Sequence, residues 1–260
     1  MIKLKSDKEL AILRAGGKRL ATILQVVTER VISGITTGEL DDLATELILT
    51  GGDQPAFKGY RPEGSRLAYP AALCVSVNEE IVHGIPSRRV LEEGDIVGLD
   101  LGLSHEGLFT DMAVTVPVGK ISEEAEKLMT ATKKSLALGI KEAKAGNHLG
   151  DIGFAIISHI KANGFQVVEE LSGHGVGFLP HEDPYVMNWG IKGEGEELKP
   201  GLVIAIEPMA TTGSGKIKLR DDGFTFITRD GKISAHFEHT IVITEKGSEI
   251  LTLLNKNESF

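Results

Sequence analysis

Residues 95–118 read DIVGLDLGLSHEGLFTDMAVTVPV, two β-rich apolar runs, Asp95–Leu103 and Thr110–Val118, flanking the turn-like Ser104–Gly107. Runs rich in Val, Ile, Leu and Thr and bounded by turn residues predict strands, and their close spacing predicts a hairpin. Each run carries an acid among apolar neighbours, Asp100 in VGLDLGL and Asp111 in FTDMAV. A hairpin can bring the two side by side on one face. Buried alone, an ionised carboxylate costs several kcal/mol and takes up a proton instead.

The same pattern returns later in the chain, with Glu207 in AIEPM and Glu238 in HFEHTIV. None of the four runs contains a lysine or arginine, so a bound cation is the remaining compensation for four converging acids. Pro208 biases Glu207 toward extended backbone and removes the next ladder donor, which fixes where that strand ends. Four carboxylates and one imidazole suffice for two divalent ions. The imidazole expected is His174, in SGHGVGFLPHEDP (residues 172–184), where glycines let the backbone approach closely.

Outward from these runs, each half of the chain reads helix, helix, strands. SDKE (Ser6–Glu9) and TTGE (Thr36–Glu39) are capping boxes opening two helices, the second stopped by Gly51-Gly52. Ser122 leads an acidic first turn into a third helix ending near Ala145-Gly146, and Leu149–Ala162 is a fourth, closed by Asn163-Gly164. Strands are expected at Leu73–Val77, Gln166–Leu171, Leu202–Pro208, Phe224–Thr228 and His236–Thr244. This order predicts one α+β domain over 1–260, with an internal repeat of about 1–118 and 119–260.

A net charge of -9 without a basic run argues against nucleic acid and anionic membrane. The single cysteine, Cys74, excludes an internal disulfide and any multi-cysteine zinc site. The N-terminus lacks the apolar core of a signal peptide and no segment approaches the roughly 18 apolar residues of a membrane span, so a cytoplasmic protein is expected.

VNEEIVHGIP (Val77–Pro86), GLDLG to FTDM, GHGVGFLPHEDP, AIEPM and FEHTIVIT together resemble the methionine aminopeptidases of the shorter bacterial type, within the pita-bread metallopeptidase group. The resemblance covers nearly the whole chain. It implies two pseudo-symmetric αα-β halves around a central curved, mainly antiparallel sheet with helices on one face. It further implies two divalent ions (Co, Mn, Fe or Zn) held by Asp100, Asp111, His174, Glu207 and Glu238, with a water bridged between them. His83 and His181 are the family's two further active-site histidines, His181 on the substrate carbonyl and His83 steadying the amide, while Glu207 shuttles the proton. A metal can receive a free amine, which an internal peptide bond does not offer.

Tyr69, Cys74 and Phe224 are implied to line a methionine pocket. The chain departs from the best-known bacterial pattern, with Phe224 for a tryptophan, Pro180 for a phenylalanine, and a longer, more charged loop at Gly59–Pro70. The implied substrate is the N-terminal methionine of a nascent chain whose second residue is small, met by a monomer near the ribosome. Two rival readings share the fold: a proline-directed aminopeptidase P or prolidase, and a pita-bread binding protein without catalysis. The first tends to follow EPG rather than AIEPM and to carry a large N-terminal domain, and the second typically lacks several ligands.

Other signals are read as structural. TGSGK (Thr212–Lys216) misses the phosphate-loop spacing and is taken as a hairpin loop. His105 and Glu106 are expected in solvent, His148 and His159 carry no partner pattern, and of the two histidines flanking Glu238, His236 and His239, His239 is read either as a partner behind the metal ligands or as a surface or packing residue. Asn257-Glu258-Ser259 is a formal glycosylation sequon without a secretion signal.

Overall fold

A computed structural model describes residues 2–61 and 67–254. Part of the Gly59–Pro70 loop and the sequon at Asn257 lie outside the described residues. Four helices form: α1 Asp7–Thr28, α2 Thr37–Thr50, α3 Glu123–Glu142 and α4 Leu149–Ala162. The strands of the first half are β1 Gln54–Pro55, β2 Leu73–Val77, β3 Glu80–Val82, β4 Ile96–His105 and β5 Leu108–Pro117. Those that follow α4 are β6 Gln166–Val167, β7 Ser172–Gly175, β8 Glu182–Met187, β9 Val203–Ile206, β10 Met209–Thr211, β11 Ile217–Leu219, β12 Phe226–Thr228, β13 Ser234–His236, β14 His239–Thr244 and β15 Gly247–Ile250.

Both capping boxes are made as the residues dictate. The Ser6 amide donates to Glu9 Oε2 at 2.7 Å and the Thr36 amide to Glu39 Oε2 at 2.8 Å, each box worth about 1 kcal/mol. Helices α1 and α2 lay Leu20, Leu24, Leu40 and Ile48 against Leu73, Leu99 and Leu101 of the β2–β4–β5 sheet. Helices α3 and α4 bury Leu128, Leu136, Ile152 and Ile156 against Ile204, Ile206 and Ile241. Val114 of β5 packs on both clusters.

The strand pairings are antiparallel, but among the described residues they form four hydrogen-bonded sheets rather than one. The expected Leu202–Pro208 strand breaks after Ile206, and the expected His236–Thr244 strand breaks between His236 and His239. Gln166–Leu171 is extended only at Gln166–Val167, and α3 stops at Glu142, short of Ala145. The β4–β5 turn is tighter than Ser104–Gly107. Ser104 and His105 pair with Phe109 and Leu108, leaving Glu106 and Gly107 at positive φ in a two-residue turn.

Two readings of loops are corrected. Thr212–Lys216 joins β10, which pairs with β13, to β11, which pairs with β12, so it links two sheets and closes no hairpin. His105 is not in solvent: its Nδ1 meets Asp53 Oδ1 at 2.8 Å, and Asp53 also accepts from Arg19 Nε at 2.6 Å.

Candidate metal centre and substrate cavity

The four acids meet where two strand pairs break together. On β4–β5, Asp100 pairs with Ala113 and Asp111 with Gly102, so the carboxylates are diagonal neighbours on one face rather than directly opposite. Glu207 sits between β9 and β10, and Glu238 between β13 and β14. Because Ile206 pairs with His239 and Met209 with His236, the two gaps face each other. Thr240 Oγ1 accepts from the Asp111 amide at 2.9 Å and donates to the Asp111 carbonyl at 2.7 Å, fastening the hairpin to β14. The Glu238 amide donates to the Ala113 carbonyl at 2.8 Å, and Asn188 Nδ2 to the Glu207 carbonyl at 2.9 Å.

His174 comes from β7, a strand too rich in glycine to be legible as one. Its Nδ1 lies 2.9 Å from the Gly175 carbonyl, which can only accept, so Nδ1 carries the proton and Nε2 keeps its lone pair. That Nε2 stands 3.5 Å from Glu207 Oε1 and 4.0 Å from Asp111 Oδ2. One donor atom each from Asp111, His174 and Glu238 lies within 4.8 Å of the others, and Asp100 and Glu207 line the same cavity. All five are buried.

Burial pushes Asp100, Glu207 and Glu238 well above the usual carboxylate range, and their mutual charges push them further. Asp111 is raised by the same burial. Burial also lowers His174 to about 3, with His181 adding to the effect. Neither kind of group therefore offers the other a counter-charge at neutral pH. Among the described residues no lysine or arginine pairs with the four carboxylates, and Asp100 Oδ1 and Glu238 Oε1 are buried without a hydrogen-bond partner. Orphaned, mutually repelling oxygen acceptors beside one free imidazole lone pair fit hard or borderline divalent cations.

The cavity over this cluster has a volume of about 720 Å³. Tyr69, Cys74 and Phe224 line one side, the Tyr69 and Phe224 rings meeting edge-on at 5.4 Å, and Tyr69 donates to the Gly84 carbonyl at 2.9 Å. Phe57 completes this wall and Tyr60 stacks at 5.0 Å on His181; neither was expected from sequence, where each is an isolated aromatic in a loop. The His181 ring also lies 4.3 Å from that of His174. His83 also lines the cavity and sits in the left-handed region, φ 59°, a conformation uncommon outside glycine and concentrated at functional sites. Burial lowers His83 and His181 to about 4, so both are neutral at pH 7.

Two further supports escaped the sequence. The buried ammonium of Lys5 pairs with Glu182, next to His181, across 177 residues of chain. It is His236, not His239, that reaches the site: His236 Nε2 lies 3.4 Å from Glu207 Oε2, whereas His239 Nδ1 meets Thr252 Oγ1 at 2.8 Å.

A fold of duplicated helix pairs and antiparallel strands around buried acids and one free imidazole defines a metallopeptidase of the pita-bread type. Residues 11–245 match metallopeptidase family M24, and the chain belongs to that family. A methionine aminopeptidase of Clostridium perfringens is 46% identical over 98% of this chain and 100% of its own length, and methionine aminopeptidase 1 of Bacillus subtilis is 45% identical over 97% and 99%. The crystal structure of a methionine aminopeptidase from Thermotoga maritima superposes with a TM-score of 0.93 at 42% identity, covering 97% of this chain and 99% of that one. A prolidase from Pyrococcus horikoshii, at 23% identity and TM-score 0.76, shares the fold alone, and this chain spans 64% of it. Within family M24 the chain groups with the methionine aminopeptidases and is a hydrolase. Among the described residues no helix is long and apolar enough to cross a membrane.

Proposed function

We propose that this chain removes the N-terminal methionine from polypeptides whose second residue is small, with Asp100, Asp111, His174, Glu207 and Glu238 holding two divalent cations. The observation that carries this reading is the buried convergence of four carboxylates, without a lysine or arginine partner among the described residues, on one imidazole that keeps a free lone pair. Such cations, held there, would supply Lewis-acid polarisation of the scissile carbonyl and a water acidic enough to attack near neutral pH.

The protein's own groups do the rest. Glu207, open to the cavity, takes the proton of the attacking water and delivers it to the leaving nitrogen. His181 and His83, neutral at pH 7, each offer one N–H donor without adding a positive charge. His181 donates to the peptide carbonyl, and increasingly as its oxygen gains charge. His83 holds the scissile amide from the opposite side. Tyr69, Cys74, Phe224 and Phe57 form an apolar wall of the kind a thioether side chain fills.

The same reading takes the chain as one catalytic domain, supported by Val114 packing on both halves, and as a cytoplasmic monomer meeting nascent chains near the ribosome. Incubation with Met-Ala-Ser and Ala-Pro-Ala peptides, after chelation and after addition of single metals, is the test. Metal-dependent release of methionine from the first alone is expected. Cleavage of the proline peptide alone, or of neither, would overturn the reading.

A further inference from the structure

β8 is the outer strand of its sheet, next to β7, and it is two-faced in an unusual sense. Its inward residues are ordinary: Val186 is buried in the core, and Asn188, just beyond the strand, holds the Glu207 carbonyl. An outer face exposed to water normally alternates polar residues with the buried ones. Here the outward row is Tyr185, Met187, Trp189 and Ile191, exposed by 70, 39, 43 and 62%. Four large apolar side chains, Tyr185 and Met187 on β8 and Trp189 and Ile191 in the bent segment that follows it, all line one cavity and mark a binding surface rather than scattered exposure.

The row is rigidly mounted. A Cβ on Gly153 would meet the Trp189 carbonyl at 2.2 Å, and one on Gly150 would meet the Ile191 carbonyl at 2.2 Å, so α4 lies directly against the backbone that carries the row. Trp189 Nε1 donates to the Glu169 carbonyl at 3.1 Å, which pins the indole and satisfies its one polar atom. Beside the row lies a cavity of about 550 Å³. Asp183 and Tyr185 line both this cavity and the one over the acid cluster, and the adjacent residues Ile2 and Lys3 line one each. The two cavities therefore adjoin.

We infer that this row is the docking lane for the polypeptide downstream of the scissile bond, taking an extended segment rich in apolar residues. The inference rests on the aminopeptidase reading: a substrate held by its N-terminus over the acid cluster must lead the rest of its chain out, and Asp183 and Tyr185 stand at the border between that cavity and the lane. The row follows β8 to Met187 and then bends at Asn188 and Trp189, so the lane takes a short segment extended beside the strand and turning with the wall beyond it. Asp183, Glu194 and Glu196 around the cavity favour basic residues among the apolar ones.

The test compares kcat/KM for the tripeptide Met-Ala-Ser with two dodecapeptides that share this start, one continued by leucine, valine and lysine, the other by glycine and serine. The apolar-basic tail is expected to raise kcat/KM about five- to tenfold over the glycine-serine tail. The double substitution Met187→Ser with Ile191→Ser should erase that difference and leave tripeptide hydrolysis unchanged. Trp189 is the chain's one tryptophan, so its emission reports occupancy directly. Titration with the apolar dodecapeptide already lacking methionine, which is no substrate, should shift that emission, and the glycine-serine counterpart should not. Equal kcat/KM for both tails, a gain that survives the double substitution, or unmoved emission would overturn the inference. So would self-association that the double substitution abolishes without any tail preference, which would assign the row to a second copy of the chain. Failure to cleave any peptide would instead remove the aminopeptidase reading, and the emission titration would then decide the lane alone.

Discussion

His236 Nε2 stands 3.4 Å from Glu207 Oε2, buried and without a hydrogen-bond partner of its own. The contact is not aligned as a hydrogen bond, yet the backbone that carries the ring is fixed: the His236 amide donates to Thr115 Oγ1 at 2.9 Å, and Thr115 donates back to the His236 carbonyl at 2.8 Å. Burial lowers His236 to about 3, so it faces Glu207 as a neutral imidazole. Groups that hold a ligating carboxylate from outside typically tune metal affinity ten- to a hundredfold.

His236→Leu should therefore weaken divalent-metal affinity about tenfold, while His236→Gln, which keeps a donor, should stay near the parent value. Competition titration with a chelating dye reads this without reference to turnover. Unchanged affinity in His236→Leu would show that the ring only fills space.

Asp111 is the acid most deeply woven into the backbone, its Oδ1 accepting from the Met112 amide at 3.0 Å. Asp111→Asn preserves shape and removes one negative charge from a cluster that repels itself. Metal-dependent hydrolysis should fall by more than about a thousandfold, metal stoichiometry should drop, and the metal-free melting temperature should hold or rise. Retained hydrolysis would sink the two-cation scheme, and a collapsed melting temperature would make Asp111 a folding residue first.

How far the sequence carried this picture differs residue by residue. Asp100 and Asp111 were legible because a charge inside a period-two apolar run conflicts with burial, and a hairpin is a local event. Glu207 and Glu238 were legible as misplaced acids, but their position in facing strand breaks depends on the pairing of β9 with β14 and β10 with β13. Strands β7 and β8 were hidden by their glycines and proline, which read as turn formers. Gly173 and Gly175 are in fact demanded by close packing, since a Cβ would meet the Ala205 carbonyl at 2.3 Å and the Asp183 carbonyl at 2.1 Å. The Lys5–Glu182 pair spans 177 residues, and no local pattern announces it.

The buried acids also set a pH signature for the metal-free protein. Their folded pKa values are raised, so above the ordinary carboxylate range the folded state holds more protons than the unfolded one, and stability falls as pH rises. The buried histidines act oppositely: His83 and His181 are lowered to about 4, and His174, His236 and His239 to about 3, so stability falls as pH drops below about 6.5, where the unfolded imidazoles charge. Above about 6.5 only the carboxylate effect remains, up to the thiol range near 8.5. Under chelation the melting temperature should decline from pH 6.5 to 8, and saturating metal should flatten that decline by binding the deprotonated set. A chelated protein whose melting temperature is level or rising over this window would mean the acids are already ionised and paired.

Gly102 connects the acid cluster to the apolar wall. It lies opposite Asp111 on the hairpin, and a Cβ there would meet Phe57 Cε1 at 2.7 Å, Phe57 Cζ at 2.9 Å and Ala56 Cβ at 2.9 Å. The ring of Phe57, which lines the cavity over the acid cluster, thus rests in the space that the missing side chain leaves. Gly102→Ala forces that ring toward the cavity or the hairpin away from it, at a cost of about 1–3 kcal/mol for overpacking. If the ring moves, KM for Met-Ala-Ser should rise severalfold with little change in metal affinity, because Asp100 and Asp111 stay in place. Adding Phe57→Leu should relieve the contact and recover much of the loss, so the two substitutions together should be milder than Gly102→Ala alone. Loss of metal binding in Gly102→Ala, unrescued by Phe57→Leu, would mean that the hairpin moves instead, and that Phe57 does not shape the methionine pocket.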